Sequence, residues 1–125
     1  MKQPVITPSA PAPIGPFSQA ITCNGMIYVS GQLPIDLTTG ELSQGDMGQQ
    51  TRLVMSHIAA IVEAAGSNLD KLLKTTILLT NLGDFAQVNE AYAQCFTGPP
   101  PARACYQVAA LPKGARIEIE AICAL

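Results

Sequence analysis

Apolar and polar positions along this chain change their spacing several times, and each change marks an element. Between Asp46 and Ala65, Met47, Val54, Ile58, Ile61, Val62 and Ala65 recur at three- and four-residue intervals, one stripe of a helix. Asp46 with Gln49 three residues on has the form of a capping box, and Gly66 stands where a helix stops. A second helix is predicted from Asp84 to Phe96, with Phe85, Val88, Tyr92 and Phe96 as its buried face and Asp84 and Gln87 repeating the capping pattern. Ile21 to Ser30 reads as two strands joined at Asn24-Gly25, a dipeptide suited to tight hairpins. A loop with a turn at Thr38-Thr39-Gly40-Glu41 follows, and Leu72 to Thr80, rich in Thr, Ile and Leu, reads as another strand.

The remaining strands lie at the end. Arg103 to Ala110 and Ala115 to Leu125 both alternate, with the turn signal Leu111-Pro112-Lys113-Gly114 between them. A hairpin through that turn would gather Arg103, Cys105, Gln107, Arg116, Glu118 and Glu120 on one surface. Ala104, Tyr106, Val108, Ile117, Ile119 and Ala121 would form the buried one. The predicted order is β-β-α-β-α-β-β, with room for a short strand before Ile14. Both helices follow strands and can cover one face of a single mixed sheet. No third helix exists for the other face, so self-association is the economical cover.

Composition narrows the function classes. At 125 residues, 48% of them apolar, residues 1–125 read as one globular domain. The net charge of −2, with no basic run, provides no footprint for nucleic acid. The proline-rich start is not a signal peptide, and no run approaches the roughly 20 apolar residues of a membrane span, so a cytoplasmic protein is expected, or one that enters an organelle by a signal no longer present. Cys23, Cys95, Cys105 and Cys123 are widely spaced and read as reduced thiols; with a single histidine, no metal set is expected.

Only 13% of residues are charged, which makes the cluster near the end worth explaining. Arg103 follows Pro99-Pro100-Pro101 and could hold a carboxylate in a bidentate fork. The competing reading is a surface arginine, or one paired with Glu118 or Glu120. Glu118 and Glu120 either handle a proton and a water or form a solvated strand face. Cys105 beside Arg103 is a candidate low-pKa thiolate, though no histidine is near it in sequence. Ser30-Gly31 ends a strand, and the glycine either admits a ligand to the backbone or merely ends the strand. Phe17, after Ile14-Gly15-Pro16, either walls a pocket or fills the core. His57 sits mid-helix beside the apolar stripe and is read as a core-flanking histidine. That position, together with the absence of GxSxG, Walker and GxGxxG patterns, argues against hydrolase triads and nucleotide cofactors.

Five stretches in order, APAPIGPFSQAI, YVSGQLPID with TTGE behind it, IVEAAG, KTTILLTNLGDFAQVNEAY and PPARACYQVAALPKGARIEIEAI, cover nearly the whole chain. On these the chain resembles the RidA (YjgF) family of reactive-intermediate deaminases. The resemblance implies an α+β, chorismate-mutase-like fold: one mixed sheet with two helices on one face. It also implies a homotrimer with a central barrel and three clefts between subunits. The implied activity is hydrolysis of 2-imino acids, such as 2-iminobutanoate and 2-iminopropanoate, and of their enamine tautomers. The products are 2-keto acids and ammonia, and pyridoxal-phosphate enzymes are thereby protected.

By the same resemblance, Arg103 in PAR clamps the substrate carboxylate and Glu118, first glutamate of IEIE, positions the water. Ser30, Gly31 and Cys105 line the site, and Phe17 stands where the family commonly has tyrosine. Losing that hydroxyl lowers turnover or shifts preference if the hydroxyl holds substrate or water, and changes little if only the ring matters. A protonated imine is already electrophilic, so no cofactor is implied. The rival within the same fold is a non-catalytic binder of small acids with a chaperone-like or translation-inhibiting role. A ribonuclease is weaker still, because no catalytic His or Lys cluster appears.

Overall fold

The computed structural model describes residues 1–125. Six strands make one sheet: β1 (Gln3–Val5), β2 (Ala20–Cys23), β3 (Met26–Gln32), β4 (Leu72–Leu79), β5 (Ala102–Gln107) and β6 (Ile117–Ala124), in the order β1-β2-β3-β6-β4-β5. Helices α1 (Met47–Ala64) and α2 (Phe85–Ala93) cover one face. All neighbouring strands run antiparallel except β4 and β5, which are parallel.

The local signals act as expected where their partners are also local. Asn24 and Gly25 take φ of 51° and 77°, the left-handed pair that a two-residue hairpin needs. Asp46 accepts from the Gln49 N–H while the Gln49 side chain accepts from the Asp46 N–H, so the capping box on α1 is complete. Val54, Ile58, Ile61 and Val62 of that helix are fully buried against Ile27, Ile77, Ile117 and Ile119 of the sheet. Each such side chain contributes about 1.5–3 kcal/mol by leaving water.

The second helix begins differently from its prediction. Asn81 caps a 3-10 turn over Leu82–Asp84 by accepting from the Gly83 N–H, and α2 continues directly from it. Asp84 makes no side-chain cap and instead pairs with Arg116 at 2.8 Å.

The terminal hairpin does not exist. Strand β4 lies between β5 and β6, pairing with both. From β4 the chain passes through α2 into β5, the crossover that parallel strands require, and α2 packs back on the sheet. It then crosses the end of β4 through a 3-10 turn at Pro112–Gly114, where Lys113 and Gly114 adopt positive φ, and returns as β6 on the far side. Bonds from the Val108 N–H to the Leu79 carbonyl and from the Thr80 N–H to the Arg116 carbonyl mark the two ends of that crossing. The turn signal is real, but it joins strands two places apart.

This order corrects the expected distribution of side chains. Thr75 of β4 aligns with Arg103 on one side and Ala121 on the other, and Thr75 is buried with its hydroxyl 2.6 Å from the Tyr92 hydroxyl of α2. Arg103, Cys105 and Gln107 therefore face the helices. Glu118 and Glu120 align with Leu78 and Thr76 and face the opposite, helix-free side. Ile117, Ile119 and Ala121 are buried as expected. Tyr106, expected with them, is 58% exposed on the open face, where Tyr28 is also about half exposed.

Candidate functional site

The cleft around Glu118 is built by a kink in the sheet. Pairing between β3 and β6 is regular up to Val29 opposite Ala121 and resumes at Gln32 opposite Ile119, leaving Ser30 and Gly31 as a bulge. Glu120 is the residue opposite the bulge in register, and the Glu118 side chain lies over Gly31. A Cβ built on Gly31 would lie 2.8 Å from the Glu118 Cδ, closer than side chains tolerate. The glycine thus makes room for the glutamate of the neighbouring strand β6, not only for a ligand, which is a finer reason for it than strand termination.

The bulge also seats the proline-rich segment. The Ser30 hydroxyl donates to the Ser18 carbonyl at 2.6 Å, and the Ser30 N–H donates to the Gln19 carbonyl at 2.9 Å. Gln19, buried, accepts from the Thr7 N–H and donates to the Thr7 and Pro11 carbonyls. Phe17 is held in a turn closed by its N–H to the Gly15 carbonyl at 2.8 Å. The result is a cleft of about 410 Å3 with Glu118, Glu120, Ser30 and Gln32 as its polar groups and Ile14, Phe17 and Leu33 among its apolar walls.

Glu118 is half-buried there and takes no part in the chain's one ion pair, Arg116 with Asp84. Burial pushes its carboxyl above the usual carboxylate range, and the neighbouring Glu120 charge pushes the same way. Glu120 is the more exposed of the two.

Arg103 occupies a second hollow on the other face of the sheet, bounded by α2 and the proline loop, with Asn89, Phe96 and Pro101 in its lining. Its Nη1 donates to the Asn89 Oδ1 at 2.6 Å, and its guanidinium lies over the Phe85 and Tyr92 rings at 5.3 and 5.4 Å from their centroids. Held on those sides, it keeps further donors directed outward from an exposed position. Asn89 gives no signal of this in the sequence, because the contact depends on how α2 is set over β5.

Cys105 packs partly against the core beside Ile77. Burial pushes its thiol up, against a smaller opposite pull from Arg103, so the low-pKa thiolate considered from sequence does not form. Gln107 accepts from the Leu82 N–H at 2.9 Å and is thereby a structural residue of the α2 entry. His57 is buried, with Nε2 2.8 Å from the Ile35 carbonyl. No three His, Cys, Asp or Glu side chains converge into a metal-binding group. No helix is long and apolar enough to cross a membrane.

Arg103 and Glu118 are therefore not brought together within one chain. They occupy two separate places: Glu118 a partly apolar cleft on the open face, and Arg103 an anchored position at the sheet edge on the helical face.

A family model described as endoribonuclease L-PSP matches residues 7–125. The RutC family protein y4sK of Sinorhizobium fredii is 50% identical over 125 residues, covering 100% of this chain and 99% of that protein. The 2-iminobutanoate/2-iminopropanoate deaminase of Mus musculus is 44% identical over 122 residues, 98% of this chain and 90% of that one. The crystal structure of RidA from the Antarctic bacterium Psychrobacter sp. superposes with a TM-score of 0.94 at 45% identity, covering 98% of this chain and 99% of the other.

Proposed function

The chain belongs to the RidA (YjgF) family, and from that premise we propose that it is a hydrolytic deaminase of 2-imino acids and their enamine tautomers. The products are 2-keto acids and ammonia, and 2-iminobutanoate and 2-iminopropanoate are the reference substrates. The observation that carries this reading is Glu118: a half-buried carboxylate outside any ion pair, with raised proton affinity, aimed into a cleft by a bulge that has no side chain in its way. Such a group exchanges protons with a water near neutral pH more readily than an exposed carboxylate does. The names of mammalian relatives at 44–47% identity agree with it.

The chemistry asks little of the protein. Protonation makes the imine carbon electrophilic. Arg103 holds the substrate carboxylate in its fork, with Asn89 and the two rings fixing the guanidinium. Glu118 takes a proton from the attacking water as the C–O bond forms, giving a carbinolamine. It returns that proton to the nitrogen, the C–N bond breaks with its electrons leaving on ammonia, and the hydroxyl gives its proton back to Glu118 as the carbonyl forms. Phe17 stacks against the planar imine, while Ser30, Gly31 and Cys105 line the site. The gain is one of orientation and water placement.

Since Arg103 and Glu118 face opposite sides of their own sheet, the reading requires a second copy to bring Arg103 to the Glu118 cleft. We propose a homotrimer in which the open faces, with Tyr28, Tyr106 and Ile122, pack together and the sites form between subunits. A cytoplasmic location, where pyridoxal-phosphate enzymes release such imines, belongs to the same proposal.

The ribonuclease suggested by the family description has no comparable support. The one histidine is buried and already bonded to Ile35, and the chain is net negative.

The test is a coupled assay. Imine is generated in situ by threonine dehydratase or an amino-acid oxidase, and its loss is followed with wild type and with Glu118→Gln. Acceleration by wild type and its collapse in the variant are expected. Equal decay with and without the protein removes the deaminase reading and leaves a small-acid binder on the same fold.

A further inference from the structure

His57 is one of the largest fully buried side chains and one of the few polar ones. Its Nε2–H donates to the Ile35 carbonyl at 2.8 Å across 22 residues of sequence. Ile35 belongs to a small flap, residues 33–43, that closes on itself. The Ile35 N–H donates to the Leu33 carbonyl, Ile35 bridges Leu42, and the Asp36 and Ser43 N–H groups donate to the Glu41 and Pro34 carbonyls. The flap has its own apolar cluster of Leu33, Ile35 and Ala115 with Leu42 and Leu111, separate from the main core. Leu33 and Ile35 are also wall residues of the Glu118 cleft.

The flap is therefore a wall carried outside the main core. It is tied to the rigid helix α1 by the His57–Ile35 bond, with a second tie at its base where the Gln50 side chain donates to the Gly45 carbonyl at 2.9 Å. We infer that His57 is a positioning residue: through Ile35 it sets how far the apolar wall stands from Glu118, and hence which imino-acid side chains fit. This rests on the proposed deaminase reading for its substrate class, but not for its mechanics.

The variant pair is His57→Gln, whose amide nitrogen reaches about as far as Nε2 and keeps the donor, and His57→Met, which keeps bulk and removes it. Hydrogen exchange of the Leu33–Ser43 amides is read first. His57→Met should lose protection there by tenfold or more, with α1 and the sheet unchanged, and His57→Gln should restore it. Kinetics are read second. The ratio of KM for a leucine-derived imine to KM for 2-iminopropanoate should shift by roughly fivefold in His57→Met, kcat changing less, and return in His57→Gln.

Unchanged flap protection in folded His57→Met overturns the inference, as does protection lost evenly over the whole chain. An unaltered KM ratio beside a loosened flap overturns it as well. A wild type inert toward every imine instead refutes the deaminase reading, while the exchange measurement still decides whether His57 holds the flap. If His57→Met does not fold, the wild-type Nε2 proton decides: its exchange should follow the flap amides, and exchange only with global unfolding would make His57 a plain core residue.

Discussion

Gly31→Ala isolates what the bulge does for Glu118. Gly31 is absent from the residues with positive φ, so alanine is compatible with its backbone. Lower entropy in the unfolded chain even favours the variant by about 0.4–1 kcal/mol. The obstacle is space. The new methyl would stand 2.8 Å from the Glu118 Cδ and 3.1 Å from its Cγ. Carbon atoms rest at about 3.5–4.0 Å, so the carboxyl has to retreat by about 1 Å. A displacement of that size at a reacting group costs on the order of a hundredfold in rate. We expect a folded protein, its melting temperature within a few degrees of wild type, whose kcat on in-situ imine falls about a hundredfold. Binding of pyruvate by calorimetry should change much less, because the proposed carboxylate clamp, Arg103, is untouched. The Gly31→Ala/Glu118→Gln double variant should be little slower than either single one, since both remove the same placed carboxylate. Gly31→Ala retaining more than about half the wild-type rate, or multiplicative losses in the double variant, would refute this reasoning.

Four further outcomes rest on the same geometry. Arg103→Ala should lose a charge-assisted bidentate contact, on the order of 3 kcal/mol or more than a hundredfold in kcat/KM, with the fold intact by circular dichroism; retention of half the activity would make Arg103 structural. Because burial and Glu120 hold the Glu118 carboxyl above the ordinary range, activity should rise with pH through a limb that lies above the ordinary glutamate pKa, and that limb should be absent from any residual rate of Glu118→Gln. The folded state favours the protonated form, so ionisation of Glu118 opposes folding as pH rises through its raised pKa. Glu118→Gln should accordingly melt higher than wild type at neutral pH, with the difference shrinking in acid, and thermal melts across pH check it. Finally, inactive Arg103→Ala and Glu118→Gln chains refolded together in equal amounts should recover up to about a quarter of wild-type activity, since random mixing unites an intact Arg103 with a neighbour's intact Glu118 in a quarter of the sites. No recovery, although native mass spectrometry shows mixed oligomers, would mean that both residues act from one chain.

What the sequence by itself determined are the features whose cause lies within a few residues. The Asn24-Gly25 hairpin, the Asp46–Gln49 capping box, the apolar stripe of α1 and the alternation of β6 depend on backbone dihedrals and short hydrogen bonds, and all stand at their expected places. The ordered motifs that carry the RidA resemblance also put forward Arg103, Ser30, Gly31 and Glu118 as site candidates. Which strand lies beside which is decided otherwise. Alternation says that Arg103 and Cys105 share a face, and that Glu118 and Glu120 share one, but it does not relate the two pairs. The insertion of β4 between β5 and β6 relates them, and it follows from the α2 crossover and from burying Ile77, Leu79, Ile117 and Ile119 against the helices. The same long-range packing put Asn89 and two rings around Arg103, turned Gly31 into room for Glu118, and gave His57 the Ile35 carbonyl. These contacts join residues far apart in the chain, and their energies depend on the assembled core, so no local pattern could have carried them.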